Sequence, residues 1–310
     1  ISDIKKNGIA HYPLSVNRKS LSIIKFFNES ISIVKAVRVI NPDIVHLISM
    51  RPIIIGIISS FFVSSRFCAT FTGMGFLFIK KNFKLYLIRK LIIIYLRFFL
   101  KFKNLYFIVQ NKDDKNFFKS IFKLKKNNLR VIRGSGIDIN YFKYHSEKTK
   151  NEVRLAYAGR ILEDKGVLCL VEAYKIAKAK NTNLSLYIAG SLDEKNPSSI
   201  SKKHFNQIIN FKDINYLGTI NNIKKYWQEA DIAVLLSKRE GLPLSLLEAA
   251  AIGRPIISTN VTGSREIAIN NYNSINIKLG DIIECSKAIL KNIGKRQTLQ
   301  FCLVKEKDFL

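Results

Sequence analysis

Two glutamates eight residues apart, Glu240 and Glu248, are the residues of this sequence best suited to chemistry. The short aliphatic run 231–237 before them predicts a buried parallel strand, and Pro243 suits the first turn of a helix that continues through Glu248. Glu240 would then lie at the carboxyl end of a strand, next to helix-start amides whose partial positive charge suits a diphosphate. Glu248, further along the helix, would turn its carboxylate toward a ribose. This turn is therefore predicted to hold a nucleotide sugar.

The length of the chain and its pattern of elements predict two domains. A chain of 310 residues, 47% of them hydrophobic, is large enough to bury two α/β cores. Short apolar strands alternate with longer helical patterns, which is typical of parallel βαβ units. The polar segment 141–151 predicts the boundary. We therefore expect a first domain over 1–144 and a second domain over 145–293, followed by a short tail over 294–310.

The strands of the first domain are predicted at 9–14, 44–48, 66–71, 105–109 and 129–133, with a buried helix over 53–63. Those of the second domain are predicted at 154–158, 184–189, 214–217, 231–236, 255–258 and 274–277, and its helices begin near 167, 222, 243 and 282. The cysteines are scattered without disulfide or zinc-ligand spacing, which favours a reducing cytoplasm.

Several short motifs, in their order and spacing, resemble the retaining glycosyltransferases of family 4. In the second half these are 158–160, 165–166, the glutamate pair and 253–257. In the first half, the motifs 42–46, 72–75, 110–114 and 134–138 resemble the branch that builds bacterial surface polysaccharide on a lipid carrier. The resemblance covers about 8–290 and implies the GT-B fold, with two Rossmann-like parallel-sheet domains facing across a cleft. The family's first strand and glycine-rich loop have no counterpart before 9–14, so we expect an incomplete N-terminal domain.

The resemblance also implies a role for each site residue. Arg160 and Lys165 would neutralise the leaving diphosphate as catalytic cations, and Glu240 would contact hydroxyls of the transferred sugar. The expected donor-binding residues are Gly159, Gly190, Thr219, Ile220, Gly241, Leu242, Pro243, Leu244, Ser245 and Glu248, and the expected acceptor-side residues are His46, Thr72, Gly73 and Asn111. Ordinary readings stay open: a helix-start carboxylate for Glu240, a loop glycine for Gly190 and a core histidine for His46.

The charge of the chain predicts an anionic partner. Its 51 Lys and Arg against 23 Asp and Glu give a formal charge of +28, which attracts lipid headgroups, sugar nucleotides or nucleic acid. A composition rich in Lys, Asn and Ile, as AT-rich coding produces, explains part of this excess. No nucleic-acid-binding motif accompanies the charge, so we expect no nucleic-acid partner.

The segment 82–107 interleaves aromatic and aliphatic residues with lysine and arginine, a pattern typical of an interfacial membrane anchor. The alternative is an ordinary helix packed on the sheet. No segment has the roughly 20 apolar residues of a spanning helix. We therefore expect a protein peripheral on the inner face of the bacterial cell membrane, bound to its anionic surface through 82–107.

The resemblance implies a retaining enzyme that moves a hexosyl or N-acetylhexosaminyl group from a nucleotide diphosphate sugar, expected to be a UDP-sugar, to a lipid-linked saccharide. No metal or other cofactor is expected, because Arg160 and Lys165 supply the positive charge. Two alternatives stay open: a truncated noncatalytic remnant that binds nucleotide sugars, and a basic polyanion-binding protein. A polyanion binder would lose affinity steeply with salt and would be indifferent to Glu248→Ala.

Overall fold

A computed structural model describes residues 6–14, 22–73, 82–102, 105–122, 128–146 and 152–294 of the chain. The chain divides into two compact units, Ile1–Val131 and Ile132–Leu310. This division falls earlier than the predicted boundary between residues 144 and 145.

The first unit is built on a parallel sheet with four strands among the described residues, in the order β1-β2-β3-β4. They are β1 (Ile44–Ile48), β2 (Arg66–Phe71), β3 (Leu105–Val109) and β4 (Leu129–Val131). The helices are α1 (Ile23–Ile40), α2 (Met50–Gly56), α3 (Phe83–Phe102) and α4 (Lys112–Phe122), and α2 runs on into a 3₁₀ turn over Ile57–Phe61.

Aromatic and aliphatic side chains form the core of this unit. Buried and more exposed residues alternate along β1 and β2, as expected for strands whose side chains point to opposite faces. Phe71 of β2 packs on Phe107 and Phe118, with ring centroids 5.8 Å and 4.5 Å away. The segment 53–63, predicted as a buried helix, is buried at Ile53, Ile55 and Ile57. Its α-helix ends at Gly56, however, and Phe61 and Phe62 are exposed.

The strand predicted at 9–14 is wrong. Every described residue from 6 to 14 is exposed, and 9–14 contains no strand. Alternating hydrophobicity stabilises a strand only when a neighbouring strand and an apolar face cover it. Within the described chain, 9–14 has neither.

The second unit is built on a parallel sheet with six described strands in the order β10-β9-β8-β5-β6-β7. They are β5 (Val153–Ala158), β6 (Leu184–Ala189), β7 (Ile214–Gly218), β8 (Ile232–Leu235), β9 (Ile256–Thr259) and β10 (Ser274–Ile277). The helices are α5 (Val167–Lys180), α6 (Lys202–Ile209), α7 (Ile223–Glu229), α8 (Leu244–Ile252) and α9 (Ile282–Gly294). Apart from Gly294, the predicted tail 294–310 lies outside the described residues.

The segment 132–146 belongs to the second unit because its side chains and backbone are anchored there. Phe142 is buried in the core of that unit, and the backbone N–H of His145 donates to the carbonyl of Ile252 at 3.1 Å. The buried guanidinium of Arg254 donates to the carbonyls of His145 and Ala230. The polar composition of 141–151 predicted the boundary too late, because Phe142 and the buried hydrogen bonds of His145 attach the start of that segment to the second unit.

Candidate active site

The candidate donor site lies in the second unit, where the direction of the sheet order reverses. From β5 the chain proceeds to β6 and β7 on one side, and then crosses to β8 on the other side of β5. In parallel α/β sheets, ligands bind at the carboxyl ends of the strands that flank such a switch point. Gly159 and Arg160 follow β5 there, and Glu240 follows β8.

Two glycines let the loops at this edge approach one another closely. A Cβ on Gly166, where φ is +74°, would lie 2.1 Å from the carbonyl oxygen of Leu236. A Cβ on Gly190, where φ is +137°, would lie 1.9 Å from the carbonyl oxygen of Gly159. Neither position accepts a side chain without moving backbone. Gly190, a predicted donor residue, is therefore where the loop after β6 meets the loop after β5.

A close ion pair joins the two loops that follow β5 and β8. Lys165 Nζ donates to both carboxylate oxygens of Glu240, at 2.6 Å and 2.7 Å. The side chain of Lys165 is 24% exposed and that of Glu240 9%. The Ser237 hydroxyl donates to Glu240 Oε1 at 2.5 Å. The structure thus brings together two of the three predicted catalytic residues.

A second lysine clamps the same two loops. Lys238 Nζ lies 2.7 Å from Glu163 Oε1 and 3.6 Å from Asp164 Oδ1. The backbone N–H of Lys238 donates to the carbonyl of Asp164 at 2.8 Å. Since Glu163 and Asp164 directly precede Lys165, these contacts fix the loop that carries the Lys165–Glu240 pair.

Arg160, the third predicted catalytic residue, extends from the same loop toward solvent. Its Nη1 lies 3.1 Å from Asp193 Oδ2, and its side chain is 56% exposed. Exposed pairs of this kind contribute only about 0–1 kcal/mol, so an anionic ligand readily competes with Asp193. The buried Tyr157 hydroxyl donates to the Arg160 carbonyl at 2.7 Å, which fixes the backbone. Burial raises the pKa of Tyr157, and the nearby charge of Glu240 raises it further.

The glutamate pair continues into α8. Pro243 is the N-cap residue and α8 begins at Leu244, one residue after the predicted start. Gly241 and Leu242 are buried, whereas Leu244 is exposed and Ser245 half-buried. Glu248 lies in the second turn of the helix, and its Oε2 accepts a hydrogen bond from Trp227 Nε1 at 2.9 Å. Burial raises the pKa of Glu248, and the Trp227 bond offsets part of that rise.

The end of β7 lies beside the end of β6. The backbone N–H of Gly190 donates to the carbonyl of Gly218 at 2.7 Å. Of the next two predicted donor residues, Thr219 is exposed, and Ile220 is partly buried against the core of the second unit.

The predicted acceptor-side residues lie in the first unit. His46 is an exposed residue of β1 whose Nε2 lies 2.6 Å from Thr70 Oγ1. Thr72 and Gly73 follow β2, and the rest of their motif, 74–75, lies outside the described residues. Asn111 is buried and caps α4, because its Oδ1 accepts from the backbone N–H of Asp114 and its Nδ2 donates to the Asp114 carboxylate.

Sequence reasoning missed four residues that hold this site: Ser237, Lys238, Asp193 and Trp227. Ser237 and Lys238 lie between β8 and Glu240, and their closeness to Glu240 along the chain was the available signal. Asp193 and Trp227 had no such signal, since they reach Arg160 and Glu248 only through the fold. In the ranges that the structure describes, no group of three or more His, Cys, Asp or Glu is arranged to hold a metal ion.

Comparison with known proteins identifies the family. Residues 138–300 match the family model described as glycosyl transferases group 1, and this range holds both glutamates, Arg160 and Lys165. The chain belongs to this family. It is therefore a glycosyltransferase, and the two parallel sheets confirm the GT-B fold class.

Individual relatives of this glycosyltransferase cover most of its length. One relative is N,N'-diacetylbacillosaminyl-diphospho-undecaprenol alpha-1,3-N-acetylgalactosaminyltransferase of Campylobacter jejuni. The two sequences are 27% identical over 286 residues, and the aligned region covers 88% of this chain and 73% of the relative. The chain is 26% identical to UDP-Gal:alpha-D-GlcNAc-diphosphoundecaprenol alpha-1,3-galactosyltransferase of Escherichia coli, over 88% of the chain and 72% of the relative. A glycosyltransferase crystal structure from Rickettsia africae superposes with a TM-score of 0.74 at 18% identity, covering 99% of this chain and 81% of the other.

Proposed function

We propose that this glycosyltransferase moves a hexosyl or N-acetylhexosaminyl group from a nucleotide diphosphate sugar to a lipid-linked saccharide in bacterial surface polysaccharide synthesis. The observation that carries the proposal is the Lys165–Glu240 pair at the switch point of the second sheet, with Arg160 on the same loop as Lys165. The two relatives described above support the acceptor, because both are named for a sugar linked to undecaprenol through a diphosphate.

A UDP-sugar is the proposed donor. Glu248 supplies a carboxylate for the ribose hydroxyls, and the first amides of α8 face the diphosphate. The ends of β6 and β7, with Gly190, Thr219 and Ile220, flank the base. The Escherichia coli relative is named for UDP-Gal, which favours uridine as the base of the donor.

The chemistry follows from the charges at this edge. Expulsion of UDP builds negative charge on the β-phosphate, and preorganised cations that stabilise this charge lower the barrier. Arg160 and Lys165 supply these cations without a metal. Glu240 accepts hydrogen bonds from the sugar hydroxyls and orients C1. Because Lys165 contacts Glu240, one ammonium links the sugar pocket to the diphosphate pocket. The acceptor attacks from the face that UDP leaves, the departing phosphate takes the acceptor proton, and the anomeric configuration is retained.

The proposed membrane contact is the outer face of α3. Exposed apolar residues recur on it every three or four positions, which places them along one stripe: Phe83, Leu87, Leu91, Ile94 and Phe98. The opposite face packs into the core through Leu96 and Phe99, and the exposed cations Lys90 and Arg97 flank the stripe. The ordinary packed helix is therefore found on the buried face, and the exposed face is the part that supports the proposed membrane contact.

The chemistry of this stripe fits a lipid surface. An aromatic and aliphatic face flanked by cations suits an anionic headgroup layer, where each cation contributes about 1 kcal/mol. None of the helices that the structure describes is long and apolar enough to cross a membrane. We propose that the protein is peripheral on the inner face of the cell membrane, where a lipid-linked acceptor is held.

The decisive experiment is a transfer assay with the full chain, labelled UDP-sugars and an undecaprenyl diphosphate-linked saccharide. Glu240→Gln keeps the shape of the side chain but removes its charge. We expect transfer to fall by about 100-fold or more, while the dissociation constant for UDP changes less than about threefold. Glu172→Gln is the matched control, because Glu172 is an exposed α5 residue paired with Lys175 at the surface.

The outcomes separate the alternatives. Unchanged transfer by Glu240→Gln contradicts the assigned role of Glu240. Binding of UDP by the wild-type chain without transfer of any sugar favours the noncatalytic remnant. Loss of transfer in the presence of a metal chelator contradicts the metal-free mechanism.

A further inference from the structure

We infer that Trp227 is a positioning residue for donor binding, because its indole holds the Glu248 carboxylate in the orientation that the ribose requires. The inference rests on the proposed function, in which Glu248 accepts hydrogen bonds from ribose hydroxyls.

The contact between the two residues joins two different helices. Trp227 lies on α7 and Glu248 on α8, and the indole N–H donates to Glu248 Oε2 at 2.9 Å. The Trp227 side chain is 1% exposed, so its ring is fixed by packing. A buried indole N–H requires an acceptor, and here the acceptor is a carboxylate.

The helix that carries Trp227 is itself tied to the strands that end at the site. The buried hydroxyl of Tyr226 lies 2.8 Å from the carbonyl oxygen of Tyr157 on β5 and 3.0 Å from that of Tyr187 on β6. These strands lead to Arg160 and Gly190. The indole therefore connects Glu248 to the framework that positions the diphosphate and base ends of the proposed donor.

The bond leaves the carboxylate able to bind a ligand. An ionised carboxylate offers about four acceptor positions on two oxygens, and the indole occupies one of them. Among the described residues, no second side chain is hydrogen-bonded to Glu248. Because the indole only donates, it favours the ionised carboxylate and leaves Oε1 for the hydroxyl donors of a ribose.

A purely structural role would make different predictions. In that case Glu248 only satisfies a buried indole, and loss of the bond would destabilise the fold without changing how the site distinguishes ligands. A positioning role predicts a selective loss of affinity for ligands that have ribose hydroxyls. UDP and 2′,3′-dideoxyuridine 5′-diphosphate differ in only these hydroxyls.

The test compares Trp227→Phe with the wild-type full chain by calorimetric titration of both nucleotides. Trp227→Phe keeps a large aromatic ring and removes the donor. We expect its affinity for UDP to fall by about tenfold, the size expected for a hydrogen bond to a charged group, and its affinity for the dideoxy nucleotide to change less than twofold. Equal losses for both nucleotides, or no loss for either, would overturn the inference.

A matched control removes a buried hydroxyl elsewhere in the same unit. Tyr174 is fully buried, and its hydroxyl donates to the carbonyls of Leu184 and Asp213. Tyr174→Phe should lower the melting temperature and leave the ratio of the two affinities unchanged. A changed ratio would show that any lost buried hydrogen bond has this effect, and it would overturn the assignment to Trp227.

Glu248→Ala separates this inference from the proposed function. If Glu248→Ala still prefers UDP over the dideoxy nucleotide to the wild-type degree, the ribose role itself fails. If Glu248→Ala loses the preference and Trp227→Phe retains it, the ribose role holds and the positioning role fails.

A second measurement needs no Trp227 variant. The chain has one tryptophan, so its NMR spectrum has one indole N–H signal. We expect UDP to shift this signal at least twice as far as the dideoxy nucleotide does, and Glu248→Gln to move it in the ligand-free protein. An indole signal that neither UDP nor Glu248→Gln moves would overturn the inference.

Discussion

At the scale of single residues, the site is defined by which carboxylate each cation contacts. Lys165 pairs with a nearly buried glutamate, whereas Arg160 pairs with Asp193 at the surface. Loss of one partner from a buried pair typically costs about 3–5 kcal/mol, but an exposed pair contributes little. The two cations are therefore not interchangeable, although the sequence suggests the same diphosphate role for both.

Arg160→Ala should weaken binding of UDP far more than binding of uridine. The exposed guanidinium offers a planar fork to phosphate oxygens, and uridine has no phosphate. We expect a loss of roughly 10- to 100-fold for UDP and less than about twofold for uridine, measured by titration calorimetry. Asp193→Asn is the control and should leave the affinity for UDP equal or slightly higher. Similar losses of both ligands in Arg160→Ala would contradict the diphosphate role.

Acid should weaken UDP binding. Because the pKa of Glu248 is raised, this loss of affinity should begin at a higher pH than protonation of an ordinary glutamate would cause. Burial raises the pKa of Glu248 above 4.5, despite the Trp227 bond, and protonation removes an acceptor that the ribose requires. Affinity should therefore rise as the pH increases through this pKa. The contribution to folding has the opposite sign, because a raised pKa in the folded state means that stability is lost as the pH rises through it.

The measurement is the affinity for UDP across pH in the wild-type chain and in Glu248→Gln. The variant should bind more weakly at neutral pH and should lose the acid-dependent step. If both proteins show the same loss of UDP affinity in acid, a group other than Glu248 causes it.

At the scale of secondary structure, α3 combines one face in the core with one apolar face in solvent. The double substitution Leu91→Glu with Ile94→Glu places two charges in the exposed stripe and leaves Leu96 and Phe99 in place. Vesicle sedimentation should show at least about tenfold weaker binding to vesicles rich in phosphatidylglycerol, since burial of two leucine-sized side chains contributes about 3 kcal/mol or more.

The control substitution for α3 is Leu279→Glu, since Leu279 is an exposed apolar residue of the second unit. It should bind vesicles as the wild type does. Equal binding by the double variant and the wild type would show that α3 is not the membrane contact.

The sequence predicted the strands well as short apolar runs between polar residues, and this held even for β1 and β2, in which buried and more exposed residues alternate. Strands 44–48, 66–71, 105–109, 184–189 and 274–277 match the structure to the residue, and the other predicted strands after 9–14 differ by one or two residues at an end. Helix α6 was missed because its eight residues include two lysines and few apolar positions. The strand at 9–14 was wrong because a pattern in one segment cannot show whether a neighbour covers it.

The sequence predicted those residues of the candidate site that lie on strand-to-helix turns, but it did not predict their contacts. Glu240, Arg160 and Lys165 were found because their positions follow apolar strands, and parallel strands bring their carboxyl ends to one edge. The particular contacts, Lys165 with Glu240 and Trp227 with Glu248, depend on loop paths and helix packing. Neighbours along the chain do not encode these paths.

At the scale of the whole molecule, the two units have separate cores, and the proposed donor contacts belong to the second. UDP at about 100 times its dissociation constant should stabilise the unit that binds it by about 2.7 kcal/mol. Hydrogen exchange followed by mass spectrometry should show slower exchange at 159–166 and 236–248, by up to about 100-fold, and little change in β1 and β2. Uniform, salt-sensitive protection without this pattern would favour a polyanion binder.

The position of the single tryptophan has a practical consequence for work on this protein. Tryptophan fluorescence can report only on the second unit, since Trp227 lies in its core. A cooperative fluorescence melt would therefore show that the second unit is folded, and it would reveal nothing about the first unit, which contains His46 and α3. A normal tryptophan emission spectrum therefore does not show that a variant of the first unit is folded. Such a variant needs a second optical probe in the first unit.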